Sequence, residues 1–315
     1  MTMRFGAQLW SQHTSWAGFR DAALAADRAG WDSVWTWDHL MAIFGPWEQP
    51  ILEGWTSLAA LGPITSNLRL GLMVGANTFR NPGLTAKLAT TLDHVSDGRA
   101  VLGIGGAWFE REHEAFGFEE TWGSGVGERL DRLDESVGIM RRLLAGERFS
   151  HEGTYYRLDD ALCEPRPIQA RLPILIGGSG PKKTLRTTAR YGDAWNTAGT
   201  VEEVSGRVEI LRGHCADVGR EFGEIELTVS FPIVIRDTAA AAEAAYAQVL
   251  AANGTDTLDV PTLLGSPELV ADGLAPFAEM GFTTTIARLP GPYDLETIDR
   301  MGEVAERLAG VGAHG

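Results

Sequence analysis

The chain has 315 residues, 44% of them hydrophobic, which is enough to bury a large core, and it carries a net charge of −15. That acidity argues against a nucleic-acid partner, because like charge repels a phosphate backbone. The two cysteines, Cys163 and Cys215, lie far apart without Cys-x-x-Cys spacing, so neither a disulfide framework nor a zinc site is expected.

Apolar strands alternate with amphipathic helices along the chain. A strand is predicted over 5–9 and a helix over 16–29, opened by a Ser15 cap. A strand follows over 32–37, a helix over 56–65 and a third strand over 68–75. Asn81-Pro82 opens a helix that runs to about Val95, with proline at the first helical position. The fourth strand is 99–103, and a long helix covers 128–145. Residues 148–172 break the alternation; 149–156 reads as a small hairpin, followed by a Pro165-Arg166-Pro167 connection. Strand five is 173–176, with a helix over 181–191, and strand six is 194–196. Thr200-x-x-Glu203 is a capping box at the next helix start. Strand seven is 225–235, helices cover 238–252 and 268–280, strand eight is 282–287, and a last helix spans 295–309. Eight βα units predict a (β/α)8 TIM barrel, with an insertion before strand five, forming a single domain over 1–315. The N-terminus lacks an apolar signal core, and no apolar run reaches about 18 residues. A cytoplasmic protein without a membrane span is therefore expected.

In such a barrel the chemistry sits at the C-terminal ends of the strands. Gly177-Gly178-Ser179-Gly180-Pro181-Lys182-Lys183 follows a strand and precedes a helix. Free backbone N–H groups and the positive end of the helix dipole there would bind an anion such as phosphate. A Walker A order is absent. Gly103-Ile104-Gly105-Gly106-Ala107-Trp108 departs from the Rossmann fingerprint, since Trp108 stands where the third glycine belongs. Its glycines fit either close approach of a flat ring or a turn needing positive φ. Asp38-His39 ends strand two among Trp35, Trp37 and Trp47. A histidine there can act as general acid or base, or be held structurally by its neighbour. Glu110, Glu112, His113 and Glu114 lack His-Glu-x-x-His order and read as acids favouring a helix dipole, and His94 reads as a helix-end cap, so no metal is expected. Trp10, Trp37, Phe44, Trp47, Trp108 and Phe109 fall at or just after strand ends, which points to a pocket for an apolar or aromatic molecule.

Several motifs, kept in order, carry a resemblance. They are Trp35-Thr36-Trp37-Asp38-His39, Leu70-Gly71-x-x-Val74, Arg80-Asn81-Pro82, Leu92-Asp93-x-x-Ser96-x-Gly98-Arg99, Leu102-Gly103-x-Gly105-x-x-Trp108-x-x-x-Glu112-His113-x-x-Phe116-Gly117, Pro173-Ile174-x-Ile176-Gly177-Gly178-Ser179-Gly180 and Ala189-Arg190-Tyr191-Gly192-Asp193-Ala194-Trp195-Asn196. Over nearly its whole length the chain resembles the luciferase-like monooxygenase superfamily, and within it the coenzyme F420-dependent oxidoreductases. The resemblance implies hydride transfer between F420 and a small organic substrate, with FMN and oxygen chemistry as the alternative, and a homodimer. It implies a non-prolyl cis peptide at Met73-Val74 beneath the cofactor ring. It places Asp38 and His39 beside ring and substrate as catalytic residues, with Asp38 also touching the cofactor. Gly105, Gly106, Ala107 and Trp108 would flank the cofactor, and Gly177, Gly178, Ser179, Gly180 and Lys182 would hold its phosphate. Two departures stand out. Several F420 enzymes carry an acidic residue where Gly106 stands, and many relatives carry asparagine where Phe109 stands, so a sugar-phosphate substrate is not expected.

Overall fold

The computed structural model describes residues 3–258 and 260–311. Eight parallel strands recur along them: β1 (Arg4–Leu9), β2 (Ser33–Thr36), β3 (Arg69–Leu72), β4 (Ala100–Gly105), β5 (Ile174–Gly177), β6 (Ala194–Thr197), β7 (Glu226–Ile235) and β8 (Thr284–Leu289). Neighbours in the chain are neighbours in the sheet, and β8 pairs back onto β1, so the sheet closes. Helices between successive strands pack around it, which makes this the expected (β/α)8 barrel. Local signals set the helix starts. Ser15 accepts from the Gly18 N–H, Asn81 caps a helix with Pro82 at its first position, and Thr200 and Glu203 form a reciprocal capping box.

The barrel interior is built in three layers by the period-two alternation of strands. At the N-terminal end lies a lattice of ion pairs. Arg4 reaches Glu226 at 2.7 Å, and Arg69 reaches both Asp32 and Glu226 at 2.5 and 3.2 Å. The middle layer is apolar: Trp35, Val101, Leu175, Ala194 and Ile286 pack together. Trp35 fills the centre because its neighbours on β1 and β3 are glycines. A Cβ on Gly71 would stand 2.6 Å from the indole, and one on Gly6 2.9 Å from it. The third layer, at the C-terminal end, contains Gln8, Gly177, Asn196, Ser230 and Arg288, and it forms the floor of a cavity.

Several elements differ from the sequence-based expectation. The third strand breaks at a cis Met73–Val74 peptide, and Gly75–Ala76 then pairs with β4 as a separate short strand. The helix after β5 starts at Thr184, not at Pro181. Proline presets φ for a turn as readily as for a first helical turn, and here residues 181–183 form a turn. Strand β8 runs on to Leu289, two residues past the expected end, because Arg288 faces the barrel interior and not solvent. The insertion before β5 is an antiparallel hairpin of Phe149–Glu152 and Arg157–Ala161, and a further short strand, Leu263–Gly265, adds to the end of β7. No helix among the described residues is long and apolar enough to cross a membrane.

Candidate active site

A cavity of about 520 Å³ opens at the C-terminal ends of the strands. Asp38, His39, Met73, Val74, Gly105, Gly106, Ala107, Trp108, Gly177, Gly178 and Gly180 line it. Ser179 and Lys182 do not. Ser179 turns to Thr197, with the two hydroxyls 3.3 Å apart, and Lys182 is exposed.

The loop after β3 is held from three sides. Gln8 of β1 donates from Nε2 to the Met73 carbonyl at 2.9 Å. The Asp38 carboxylate accepts the Ala76 N–H at 2.8 Å. Val74 presses its side chain onto β4 and β5, where a Cβ on Gly105 or Gly177 would come within 2.8 or 2.7 Å of it. These two glycines therefore give room to a side chain of the protein itself. The left-handed residue in the Gly103–Trp108 stretch is Ala107, at φ +59, and none of its glycines has positive φ.

Asp38 does not meet His39. Both of its oxygens face the Arg80 guanidinium, at 2.6 and 2.8 Å, and its side chain is almost wholly buried. Burial pushes this carboxyl above the ordinary aspartate value, against the pull of Arg80 and of the Ala76 N–H. The carboxylate that meets His39 is Glu112, one of the acids that the sequence alone assigns to the helix dipole. Its Oε1 lies 2.9 Å from His39 Nδ1, and its Oε2 accepts the Leu40 N–H at 3.0 Å. An ionised carboxylate only accepts, so Nδ1 carries the hydrogen and Nε2 is the nitrogen left to a ligand. Glu112 was recoverable only by knowing that the helix Glu110–Phe116 turns this residue inward. Its neighbour His113 is also buried, between the Phe109 carbonyl on Nδ1 at 2.8 Å and the Thr78 hydroxyl on Nε2 at 2.6 Å.

The glycine loop after β5 is partly committed. Gly178, at φ +127, donates its N–H to the Asn196 carbonyl at 3.2 Å, and its own carbonyl accepts the Trp195 indole N–H at 2.8 Å. The N–H groups of Ser179 and Gly180 donate to no backbone carbonyl among the described residues. Lys183 is engaged with Asp131 at 2.7 Å and with the Gly127 carbonyl at 2.9 Å. Two open N–H groups beside a glycine-lined wall fit an anionic group of a cofactor.

One wall is aromatic. Trp10 packs on Trp37 and Phe44 with ring centroids 4.4 and 4.9 Å apart, and all three line the cavity. Trp108 stands at the mouth, 61% exposed, with its ring centroid 5.7 Å from that of His39. Trp47 and Phe109 lie outside the lining; Trp47 carries the Arg111 guanidinium over its ring at 5.3 Å.

Residues 1–259 match the family model for luciferase-like monooxygenases. The chain is 37% identical over 201 residues to an F420-dependent glucose-6-phosphate dehydrogenase of Microbacterium testaceum, covering 62% of this chain and 56% of that one. It is 35% identical over 225 residues to the phthiodiolone/phenolphthiodiolone dimycocerosates ketoreductase of Mycobacterium tuberculosis, covering 64% of this chain and 57% of that one. The matched region thus spans little more than half the length of these relatives. In structure it is similar to an F420-dependent secondary alcohol dehydrogenase in complex with an F420-acetone adduct, with a TM-score of 0.84 at 20% identity over 98% of this chain and 99% of that one. Barrel, motif order and family match agree, and the chain belongs to the luciferase-like monooxygenase family.

Proposed function

We propose that this chain is an F420-dependent oxidoreductase that moves a hydride between the deazaflavin and a small organic substrate with an apolar or aromatic body. The observation that carries the reading is the His39–Glu112 pair on the wall of a glycine-lined cavity, in a chain 37% identical over 201 residues to an F420-dependent enzyme. F420, when bound, supplies two-electron hydride chemistry.

The chain's own residues bind, orient and handle a proton. Met73 and Val74, fixed by Gln8 and Asp38, would lie under the ring, and Gly105, Gly106, Ala107 and Trp108 would flank it. The open N–H groups of Ser179 and Gly180, with Gly177, Gly178 and exposed Lys182 beside them, would hold the phosphate. His39 Nε2 gives a proton to, or takes one from, the substrate atom that gains or loses negative charge on hydride transfer. Glu112 holds the ring in the Nδ1–H form and stabilises the imidazolium. Trp10, Trp37 and Phe44 cover the apolar part of the substrate and exclude water. Asp38 acts through Arg80 and the 73–76 loop as a positioning residue.

The test is single-turnover hydride transfer beside F420 Kd for wild type and His39→Ala. The expected result is a rate loss of ~10²–10⁴-fold with Kd nearly unchanged, the usual worth of general acid–base catalysis. An unchanged rate removes His39 from the chemistry.

A further inference from the structure

The cavity that holds the His39–Glu112 pair also holds, on its floor, a cation with no carboxylate partner among the described residues. Arg288 comes from β8 and lines the cavity together with Ser230 of β7 and Asn196 of β6. It makes no ion pair with any described carboxylate. Among the described residues its guanidinium donates, from Nε and Nη2, to the Ser230 hydroxyl alone, at 3.3 and 3.0 Å. Nη1 donates to no described residue, so most of the five N–H donors of the guanidinium are free. The polar chain behind it points the same way. Ser230 donates to Asn196 Oδ1 at 3.4 Å, Asn196 Nδ2 donates to Thr228 at 2.9 Å, and Thr228 donates to the Trp195 carbonyl at 3.0 Å. Each hydroxyl thus hands its proton inward and turns an acceptor to the group before it. None of these groups offers Arg288 a negative charge.

Arg288 is half-buried, and an arginine withdrawn from water is normally paired, because a charge that loses hydration needs compensation. Burial pushes this guanidinium down to about 10, still charged at neutral pH. The other charged side chains of the lining have partners: Asp38 has Arg80, and Glu112 accepts from the His39 Nδ1–H and the Leu40 N–H. Arg288 is the one lining arginine or lysine, and no described carboxylate meets it. We infer that Arg288 and Ser230 form a subsite for a single negative charge on the substrate, a carboxylate or a similar monoanion, at the far end of an apolar or aromatic body. One cation on the floor matches a monoanion, whereas a phosphate dianion would leave a charge unpaired there. A planar guanidinium takes a carboxylate through two parallel N–H···O bonds. The aromatic wall of Trp10, Trp37 and Phe44 covers the remainder. The inference deepens the proposed function and rests on its placement of the substrate in this cavity. The same chemistry could come instead from an acidic group of the cofactor, and the test separates the two.

The probes are benzoate, its neutral analogue benzamide, and inorganic phosphate, titrated by calorimetry into wild type, Arg288→Met and Arg288→Lys, with and without F420. We expect benzoate to bind wild type more tightly than benzamide or phosphate. Arg288→Met should weaken benzoate by about tenfold or more, the scale of a lost charge-assisted bond, and leave benzamide and F420 affinity alone. Arg288→Lys should fall between, since an ammonium lacks the planar fork. Removing a half-buried cation with no described carboxylate partner should leave the melting temperature equal or higher. Equal benzoate affinity in wild type and Arg288→Met overturns the inference. So does phosphate binding tighter than benzoate to the F420-saturated protein, where the Ser179–Gly180 loop is filled, or a loss of F420 affinity in the variant without a loss of benzoate. Failure of both variants to fold assigns Arg288 a structural role and also overturns it. If wild type does not bind F420, the cofactor reading fails by itself, and the cofactor-free titration still decides the subsite.

Discussion

The carboxylates around the cavity divide their work by which cation or ring each one faces. Asp38 is locked against Arg80, which also reaches Glu53 at 3.4 Å, so removing Arg80 leaves a buried carboxylate unmatched while removing Asp38 leaves Arg80 one partner. Arg80→Met should therefore lower stability by ~3–5 kcal/mol, the usual cost of breaking a buried pair, and Asp38→Asn by less. Denaturant unfolding gives the number, and single-variant losses under about 0.5 kcal/mol would dismiss the pair as a structural anchor. Glu112→Gln makes a different point. A glutamine amide in place of Oε1 would donate to His39 Nδ1 and drive the hydrogen to Nε2. The expected outcome is a fall in kcat with the F420 Kd held; an intact kcat would mean that the tautomer is immaterial. His113 supplies a pH dependence of stability. Burial holds its imidazole below the ordinary histidine value, so the unfolded chain takes up the proton first as pH falls. Its contribution is complete above about pH 6.5 and is lost on acidification below it. Melting temperature followed from about pH 7 to pH 5 should fall less steeply in His113→Gln than in wild type; parallel curves would refute this. The Asp38-His39 motif was legible in the sequence as chemistry at a strand end. Its true partners were not, because Arg80 and Glu112 arrive from other loops, and adjacency along the chain favoured the wrong pair.

At the scale of elements, the glycines that end β4 and β5, Gly105 and Gly177, hold the loop after β3 through Val74. Gly177→Ala should cost ~1–3 kcal/mol by overpacking, since its Cβ would stand 2.7 Å from Val74 Cγ1. Val74→Ala in that background should recover part of the loss, and a double-mutant cycle measures the coupling. Strict additivity would show that the two positions do not share the space. The strands, helix caps and hairpin insertion could be read from alternation, Ser/Thr/Asn caps and proline placement. The errors arose where one local signal serves two structures. Pro181 starts a turn in place of a helix, and strand eight, expected over 282–287, runs to Leu289.

Across the whole molecule, the barrel stacks an ion-pair lattice, an apolar plug around Trp35 and a polar floor, so the single wide cavity among those described at this end is where a cofactor and substrate can meet. Eight βα units announced the closed barrel, since alternation and unit count are local properties summed over the chain. The cavity's charge pattern is a product of closure: Gln8, Asn196 and Arg288 are distant in sequence and become neighbours only when β8 pairs with β1. The F420 assignment is tested most directly by titrating the purified protein with F420 and with FMN and following cofactor fluorescence. Saturable F420 binding at about micromolar affinity or tighter is expected, with FMN weaker. Tight FMN binding with no response to F420 would contradict it.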